Sequence, residues 1–177
     1  DEVTGPFSIR YPRGNGVMVN WKTPFKKLEI GKGRKLKDGK EVAILSLGHP
    51  GNFAVKAIEK LETDASTGSA TGIKVAHYDL RFAKPIDEAM LHEVFARYKK
   101  IITIEDGTIV GGVGSAILEF MAENNYSAQV KRLGIPDKFI EHGEPNELYT
   151  ECGFSIEQIH DEVLEILKEK KATKVAG

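Results

Sequence analysis

The chain has 177 residues, of which 41% are hydrophobic and 29% charged, so it has the composition of an ordinary globular domain and can bury a core. Its formal net charge of −1 argues against nucleic acid or an anionic membrane as a partner, and no apolar run reaches the roughly 18 residues that cross a bilayer. A single cysteine, Cys152, excludes an intrachain disulfide and is typical of a cytoplasmic protein.

The first predicted element is a short apolar strand that leads into a turn with two arginines. Arg10 and Arg13 flank Tyr11 and Pro12, and glycines follow the second arginine. Planar guanidinium groups held near a strand end suit bidentate binding of phosphate or carboxylate, although a surface ion pair is an equally ordinary role. The chain starts at Asp1, so we expect it to be part of a longer protein, with a linker over residues 17–27.

A turn signal precedes the first continuously apolar strand. Asp38 and Gly39 lie between strand-like residues 28–37 and the apolar run Val42–Leu47. Asp-Gly between two strands is a strong signal for a two-residue hairpin turn. We therefore predict that the first strand of the main domain pairs antiparallel with the second.

The rest of the chain alternates between strand and helix patterns. Asp87 is a predicted N-cap, Ser155 and Gln158 form a predicted capping box, and residues 134–153 read as a long irregular segment. Further strands are predicted over 73–80, 99–105 and 129–133, and helices over 52–61, after 87, from 113 and after 155. Right-handed crossovers then give an α/β fold, a three-layer α/β/α sandwich with a mixed, mostly parallel five-stranded sheet and one antiparallel strand.

The glycines Gly111, Gly112 and Gly114 follow a strand and resemble a dinucleotide-binding turn. The third glycine of that fingerprint would fall on Ile117, and the next strand ends in Arg132-Leu133 instead of an acidic residue. The favoured interpretation is that these glycines let a helix approach the sheet or a partner closely.

Glu105 and Asp106 stand at the carboxyl end of a strand, where open α/β sheets bind ligands. A catalytic pair of carboxylates is one interpretation. Adjacent strand residues point to opposite faces, however, so helix capping or a structural hydrogen bond is favoured.

The histidines show no metal-ligand spacing. His142 lies in the irregular segment, where an exposed or hydrogen-bonded loop residue is the favoured interpretation. Cys152 has no base near it in sequence and is expected to be an inert thiol. The five histidines are His49, His77, His92, His142 and His160.

Several stretches together resemble the C-terminal third of the 1-deoxy-D-xylulose-5-phosphate synthases, a branch of the transketolase family. The resemblance covers residues 5–167, and its most specific parts are Arg-Tyr-Pro-Arg-Gly-Asn and Gly-Ile-Pro-Asp-Lys-Phe-Ile. It implies that residues 1–27 are the end of a pyrimidine-binding domain plus a linker. Residues 28–177 would then form a transketolase C-terminal-like domain.

The resemblance also implies the chemistry of the parent enzyme. Such synthases are homodimers that use thiamine diphosphate and Mg²⁺ to condense pyruvate with D-glyceraldehyde 3-phosphate, with loss of CO₂. Arg13 matches the arginine that binds the phosphate of the aldehyde, and Arg10 and Tyr11 are possible supporting residues. No catalytic, cofactor-binding or metal-binding residue of the family matches this chain, so the fragment is expected to bind neither cofactor and to be inactive alone.

Two alternatives stay open at this stage. The chain could be the matching domain of another thiamine enzyme, such as a transketolase or a pyruvate dehydrogenase β subunit. It could also be a non-catalytic dimerisation or regulatory module, which exposed apolar residues around Val110 and Val113 would favour.

Overall fold

The structure is a computed structural model that describes residues 22, 24, 26–63 and 73–168. Between residues 42 and 135 its strands and helices alternate along the chain, as the sequence predicts. Their bounds in chain order are β1 Arg34–Lys37, β2 Val42–Leu47, α1 Gly51–Thr63, β3 Val75–Asp79, α2 Glu88–Arg97, β4 Lys100–Thr108, α3 Val113–Glu123, β5 Gln129–Ile135, α4 Pro145–Glu151 and α5 Ile156–Lys168.

The five strands form one sheet in the order β1-β3-β2-β4-β5. β2, β3, β4 and β5 run parallel, and β1 is antiparallel to its neighbour β3. This arrangement confirms the predicted mixed, mostly parallel sheet with one antiparallel strand. β2 is almost completely buried, as expected for a strand with helices on both faces of its sheet.

The predicted hairpin between β1 and β2 is wrong, because β3 lies between these two strands. Gly39 is packed against the backbone of β3 instead of forming a tight turn. A Cβ atom on Gly39 would lie 2.1 Å from the Ala76 nitrogen, and the Tyr98 hydroxyl donates to the Gly39 carbonyl. The Asp-Gly pair therefore allows the chain to cross the start of β3, a close approach that only glycine permits.

The two faces of the sheet bury separate hydrophobic clusters. One face packs against α1 and α5 through residues such as Ile58 and Val163. The other packs against α2 and α3 through residues such as Leu91 and Ile117. The sheet thus lies between two helical layers, which confirms the predicted α/β/α sandwich.

Local signals at the ends of two helices are confirmed. The Asp87 carboxylate accepts the Met90 N–H (3.1 Å) at the start of α2. In front of α5, Ser155 and Gln158 form the predicted capping box, since each side chain accepts the backbone N–H of the other residue. Among the described residues, α4 is the helix that the sequence did not predict; it lies within the segment expected to be irregular and has no buried residue.

Candidate functional site

The strand order creates a topological switch point between β2 and β4. These strands are parallel neighbours, yet α1, which follows β2, and α3, which follows β4, pack on opposite faces of the sheet. In open α/β sheets, the gap between two such loops at the carboxyl end is the usual place for a ligand. The switch point is therefore the first place to look for a functional site.

His49 and Asp106 meet at the switch point. His49 follows β2, and Asp106 lies in β4. The distance between His49 Nδ1 and Asp106 Oδ2 is 3.6 Å, which suits an ion pair when the imidazole is protonated but is too long for a direct hydrogen bond. His49 Nε2 is buried and has no hydrogen-bond partner among the described residues.

Aromatic rings and a thiol surround this pair on the side of α4. The His49 ring centroid lies 5.8 Å from that of Phe53 and 5.4 Å from that of Tyr149. Burial raises the pKa of Tyr149, and the charge of Asp106 raises it further. Burial, followed by the charges of Glu151 and Asp106, also raises the pKa of Cys152. A thiol with a raised pKa is a poor nucleophile, which agrees with the expected inert role of Cys152.

Glu105, next to Asp106, points to the other face and caps α3. Its two carboxylate oxygens accept the Val113 N–H (2.9 Å) and the Gly114 N–H (2.8 Å). The favoured prediction of a capping role for Glu105 is confirmed. Because this carboxylate already holds the positive end of the helix dipole, the first turn of α3 has no free N–H pair to offer a phosphate.

The glycines in front of α3 make room for that carboxylate. A Cβ atom on Gly112 would lie 2.1 Å from the Thr108 carbonyl oxygen and 2.5 Å from a Glu105 oxygen. Gly111 has φ of 73° and open space around it, so its role is conformational. The prediction that these glycines serve a close approach of helix to sheet is confirmed for Gly112 and for Gly114, whose added Cβ atom would lie 2.7 Å from the Thr103 hydroxyl oxygen, but not for Gly111.

Arg132 braces the same turn from β5. Its guanidinium donates to the Ile109 carbonyl and to the Ser115 hydroxyl (2.8 Å). Ser115 in turn donates to the Ile109 carbonyl and accepts the Gly111 N–H. The residue at the place where a dinucleotide-binding fold has a ribose-binding acid is thus a structural arginine.

The remaining predicted site residues are spread widely. Arg10, Tyr11 and Arg13 lie outside the described residues, so the arginine turn stays a prediction. His142 is exposed and forms no hydrogen bond or ion pair with the described residues. Within the described ranges no group of three or more His, Cys, Asp and Glu side chains could hold a metal ion. No helix of that part of the chain is long and apolar enough to cross a membrane.

The other histidines fill structural positions. His77 is buried and shares a hydrogen bond of 2.8 Å with the Ser46 hydroxyl. Burial lowers its pKa to about 4, an effect that the Arg34 charge strengthens and the Asp79 charge opposes. His92 pairs with the Tyr126 hydroxyl at 2.8 Å on the surface. The pairing of His49 with Asp106 was missed by sequence reasoning because only the strand order brings them together.

Comparison with known proteins identifies the family. Residues 31–159 match the family described as transketolase, C-terminal domain. A 1-deoxy-D-xylulose-5-phosphate synthase of Cytophaga hutchinsonii is 61% identical over 155 residues, which cover 88% of this chain and 23% of that protein. The corresponding synthase of Phocaeicola vulgatus is 55% identical over 156 residues, 88% of this chain and 24% of that protein.

A solved structure agrees with the sequence comparison. A split-gene transketolase, described as an inactive β4 tetramer, superposes with a TM-score of 0.71 at 31% identity, covering 82% of this chain and 45% of that one. The chain spans about a quarter of the length of the curated relatives that it matches. Since the family match runs from the residues before β1 into α5, the chain belongs to the transketolase C-terminal domain family.

Proposed function

We propose that the chain is the C-terminal domain of a 1-deoxy-D-xylulose-5-phosphate synthase, which condenses pyruvate with D-glyceraldehyde 3-phosphate and releases CO₂. The observation that carries this proposal is the 61% identity to such a synthase, compared with 31% identity to the split-gene transketolase. The fold alone does not separate the two enzymes, because both have this domain. The proposal therefore depends on sequence identity within a shared architecture.

The described residues do not fit the cofactors of this reaction. Thiamine diphosphate supplies the nucleophilic carbon that such condensations require, and Mg²⁺ holds its diphosphate. The described residues offer no cluster of metal ligands, and Glu105 fills the N-terminus of α3, where a diphosphate would otherwise be attracted. We assign both cofactors to the remaining three quarters of the proposed enzyme, and the homodimer and the cytoplasmic location to that enzyme as a whole.

The contribution of this chain to the substrate site is Arg13, with Arg10 and Tyr11 as supporting residues. A guanidinium holds a phosphate through two parallel charge-assisted hydrogen bonds, each of roughly 1.5–3 kcal/mol net. This assignment comes from the Arg-Tyr-Pro-Arg motif of the sequence. Arg13 would accordingly select the phosphorylated aldehyde and have no contact with pyruvate.

The isolated chain would have no synthase activity, because the cofactor sites and most substrate groups belong to other domains. The split-gene transketolase structure is described as an inactive β4 tetramer, which is consistent with such a division. An alternative is the corresponding domain of a transketolase or a pyruvate dehydrogenase β subunit. A dimerisation or regulatory role is compatible with either, and Val110, 58% exposed, favours a contact surface, whereas Val113 is buried.

A domain exchange tests the proposal. The segment of the Cytophaga hutchinsonii synthase that aligns with this chain is replaced by the chain, and formation of 1-deoxy-D-xylulose 5-phosphate is measured. We expect at least a tenth of the parental kcat/KM. The matched control carries the same segment from the Phocaeicola vulgatus synthase. A chimera that has the oligomeric state and melting temperature of the control but lacks its activity would contradict the proposal.

A further inference from the structure

Arg81, just beyond the end of β3, has an unusual backbone conformation. Its φ is 58°, in the left-handed region that costs an ordinary side chain roughly 1–2 kcal/mol. Three hydrogen bonds hold the chain there: Arg81 N–H to Asp79 Oδ1 (3.1 Å), Leu80 N–H to the Ser46 carbonyl (2.9 Å) and Phe82 N–H to the Leu80 carbonyl (2.6 Å). The fold therefore directs this arginine side chain at an energetic cost, a feature that is common at functional sites.

Two guanidinium groups share a single carboxylate at this place. Asp79 Oδ2 accepts the Arg34 Nε–H at 2.9 Å, whereas Arg81 Nε lies 3.9 Å from the same oxygen. Among the described residues, no other carboxylate lies within ion-pair distance of either arginine. The three side chains together carry one uncompensated positive charge. Arg34 forms the closer ion pair with Asp79, across the paired strands β1 and β3, so Arg81 is the arginine that is left without a close partner.

The two terminal Nη groups of Arg81 are available to bind an anion. Its Nη groups have no hydrogen-bond partner in residues 26–63 and 73–168. The side chain is 25% exposed, and those of Asp79 and Arg34 are 18% and 53% exposed. The Arg81 side chain is thus partly accessible to solvent, and it follows β3 at the carboxyl end of the parallel strands, the end at which such sheets bind ligands.

We propose that Arg81, supported by Asp79 and Arg34, is a binding site for one carboxylate group. A carboxylate carries one negative charge, which matches the single uncompensated positive charge, and its two oxygens match the planar guanidinium. The carboxylate comes from an acidic side chain of another domain or from a free small carboxylate.

Titration with sodium acetate, observed through the ¹⁵N-labelled arginine Nε–H signals, tests the site in this chain. We expect a saturable shift of the Arg81 signal at constant ionic strength. Arg81→Gly is the decisive variant, because glycine accepts the positive φ without strain, so the variant keeps its fold and loses the site. It should weaken acetate binding at least tenfold, judged from the backbone signals of Leu80 and Phe82, without a lower melting temperature. Arg97→Gln, which removes an exposed arginine already paired with Glu93, is the matched control.

Three results would overturn the proposal: no saturable shift, unchanged acetate affinity in Arg81→Gly, or binding of inorganic phosphate at least tenfold tighter than acetate. The two sources of the carboxylate are separated by the same titration on a chain of the length of the curated relatives. A side chain of another domain would hold the Arg81 signal at its bound position, so that acetate would no longer move it. A free ligand would leave the acetate shift unchanged. Either result retains the carboxylate site.

Discussion

Ser46 and His77 share a hydrogen bond across the two central strands β2 and β3, with 2.8 Å between Ser46 Oγ and His77 Nε2. Both side chains are almost completely buried. The pKa of His77 is lowered to about 4 from an ordinary value near 6.5, mainly because burial disfavours the charged ring. The native protein therefore holds this histidine neutral at pH values where the unfolded chain protonates it.

The first prediction is a loss of stability in mild acid that His77 causes. The native pKa is below the unfolded pKa, so the stabilisation is complete above pH 6.5 and falls as the pH drops towards 4. His77 alone should reduce the free energy of unfolding by about 2 kcal/mol between pH 7.5 and pH 5. Urea unfolding at both pH values measures this change, and His77→Gln should remove that part of it. His142→Gln, at an exposed loop position, is the control, and an equal pH dependence in both variants would disprove the assignment.

The second prediction concerns Glu105 as the cap of α3. Glu105→Gln keeps one acceptor oxygen, so one of the two N–H groups now paired with the carboxylate loses its partner, and the charge at the helix N-terminus is lost. We expect a loss of about 2 kcal/mol in the free energy of unfolding, measured in urea at pH 7.5. Asp106→Asn is the matched control, because among the described residues Asp106 forms an ion pair only with His49, at 3.6 Å, and it should cost less than about 1 kcal/mol. Equal losses would show that capping is not the role of Glu105.

The third prediction separates two neighbouring glycines. Gly112→Ala places a methyl group 2.1 Å from the Thr108 carbonyl oxygen, so the turn or α3 must move, and we expect a loss of at least about 3 kcal/mol. Gly111→Ala meets no atom within 4 Å and costs only the strain of its positive φ, about 1 kcal/mol. Thermal unfolding of the two variants gives the comparison. The reverse order would contradict the packing described for this turn.

The fourth prediction tests Arg13 in the complete synthase that we propose. Arg13→Ala should raise the KM for D-glyceraldehyde 3-phosphate at least about 100-fold, since two charge-assisted hydrogen bonds to phosphate contribute roughly 1.5–3 kcal/mol each. The KM for pyruvate should change less than twofold. Steady-state kinetics with each substrate varied in turn provides both values. An equal rise in both would exclude a specific phosphate contact, and Arg13→Lys, which keeps the charge, should recover part of the loss.

Local signals in the sequence were sufficient for most of the fold. The capping residue Asp87 and the capping box of Ser155 and Gln158 each marked a helix start, because such caps depend on residues close in sequence. The Asp38-Gly39 pair misled the prediction because glycine serves tight turns and close backbone contacts alike. Helix α4 was missed because it buries no residue, so no apolar periodicity marks it.

The candidate site required information that the sequence does not carry locally. The capping role of Glu105 could be predicted because it lies eight residues before Val113 on the same strand–turn–helix unit. The meeting of His49 with Asp106, and of Asp79 with Arg34, depends on which strands are neighbours in the sheet. β1 lies next to β3 and β2 next to β4, an order that sequence patterns did not reveal.

The carboxylate of Glu105 occupies the N-terminus of α3, and this has a consequence for related turns between a strand and a helix. A strand, a run of glycines and a helix start are the ingredients of a phosphate-binding loop, and here a built-in carboxylate takes the place of the ligand. A relative in which this position is neutral would keep the same backbone but leave two amide groups and a helix dipole unsatisfied. In that protein, inorganic phosphate or sulfate should bind where the glutamate oxygens lie in this one. The identity of this single residue would then decide whether the turn is purely structural or binds an anion.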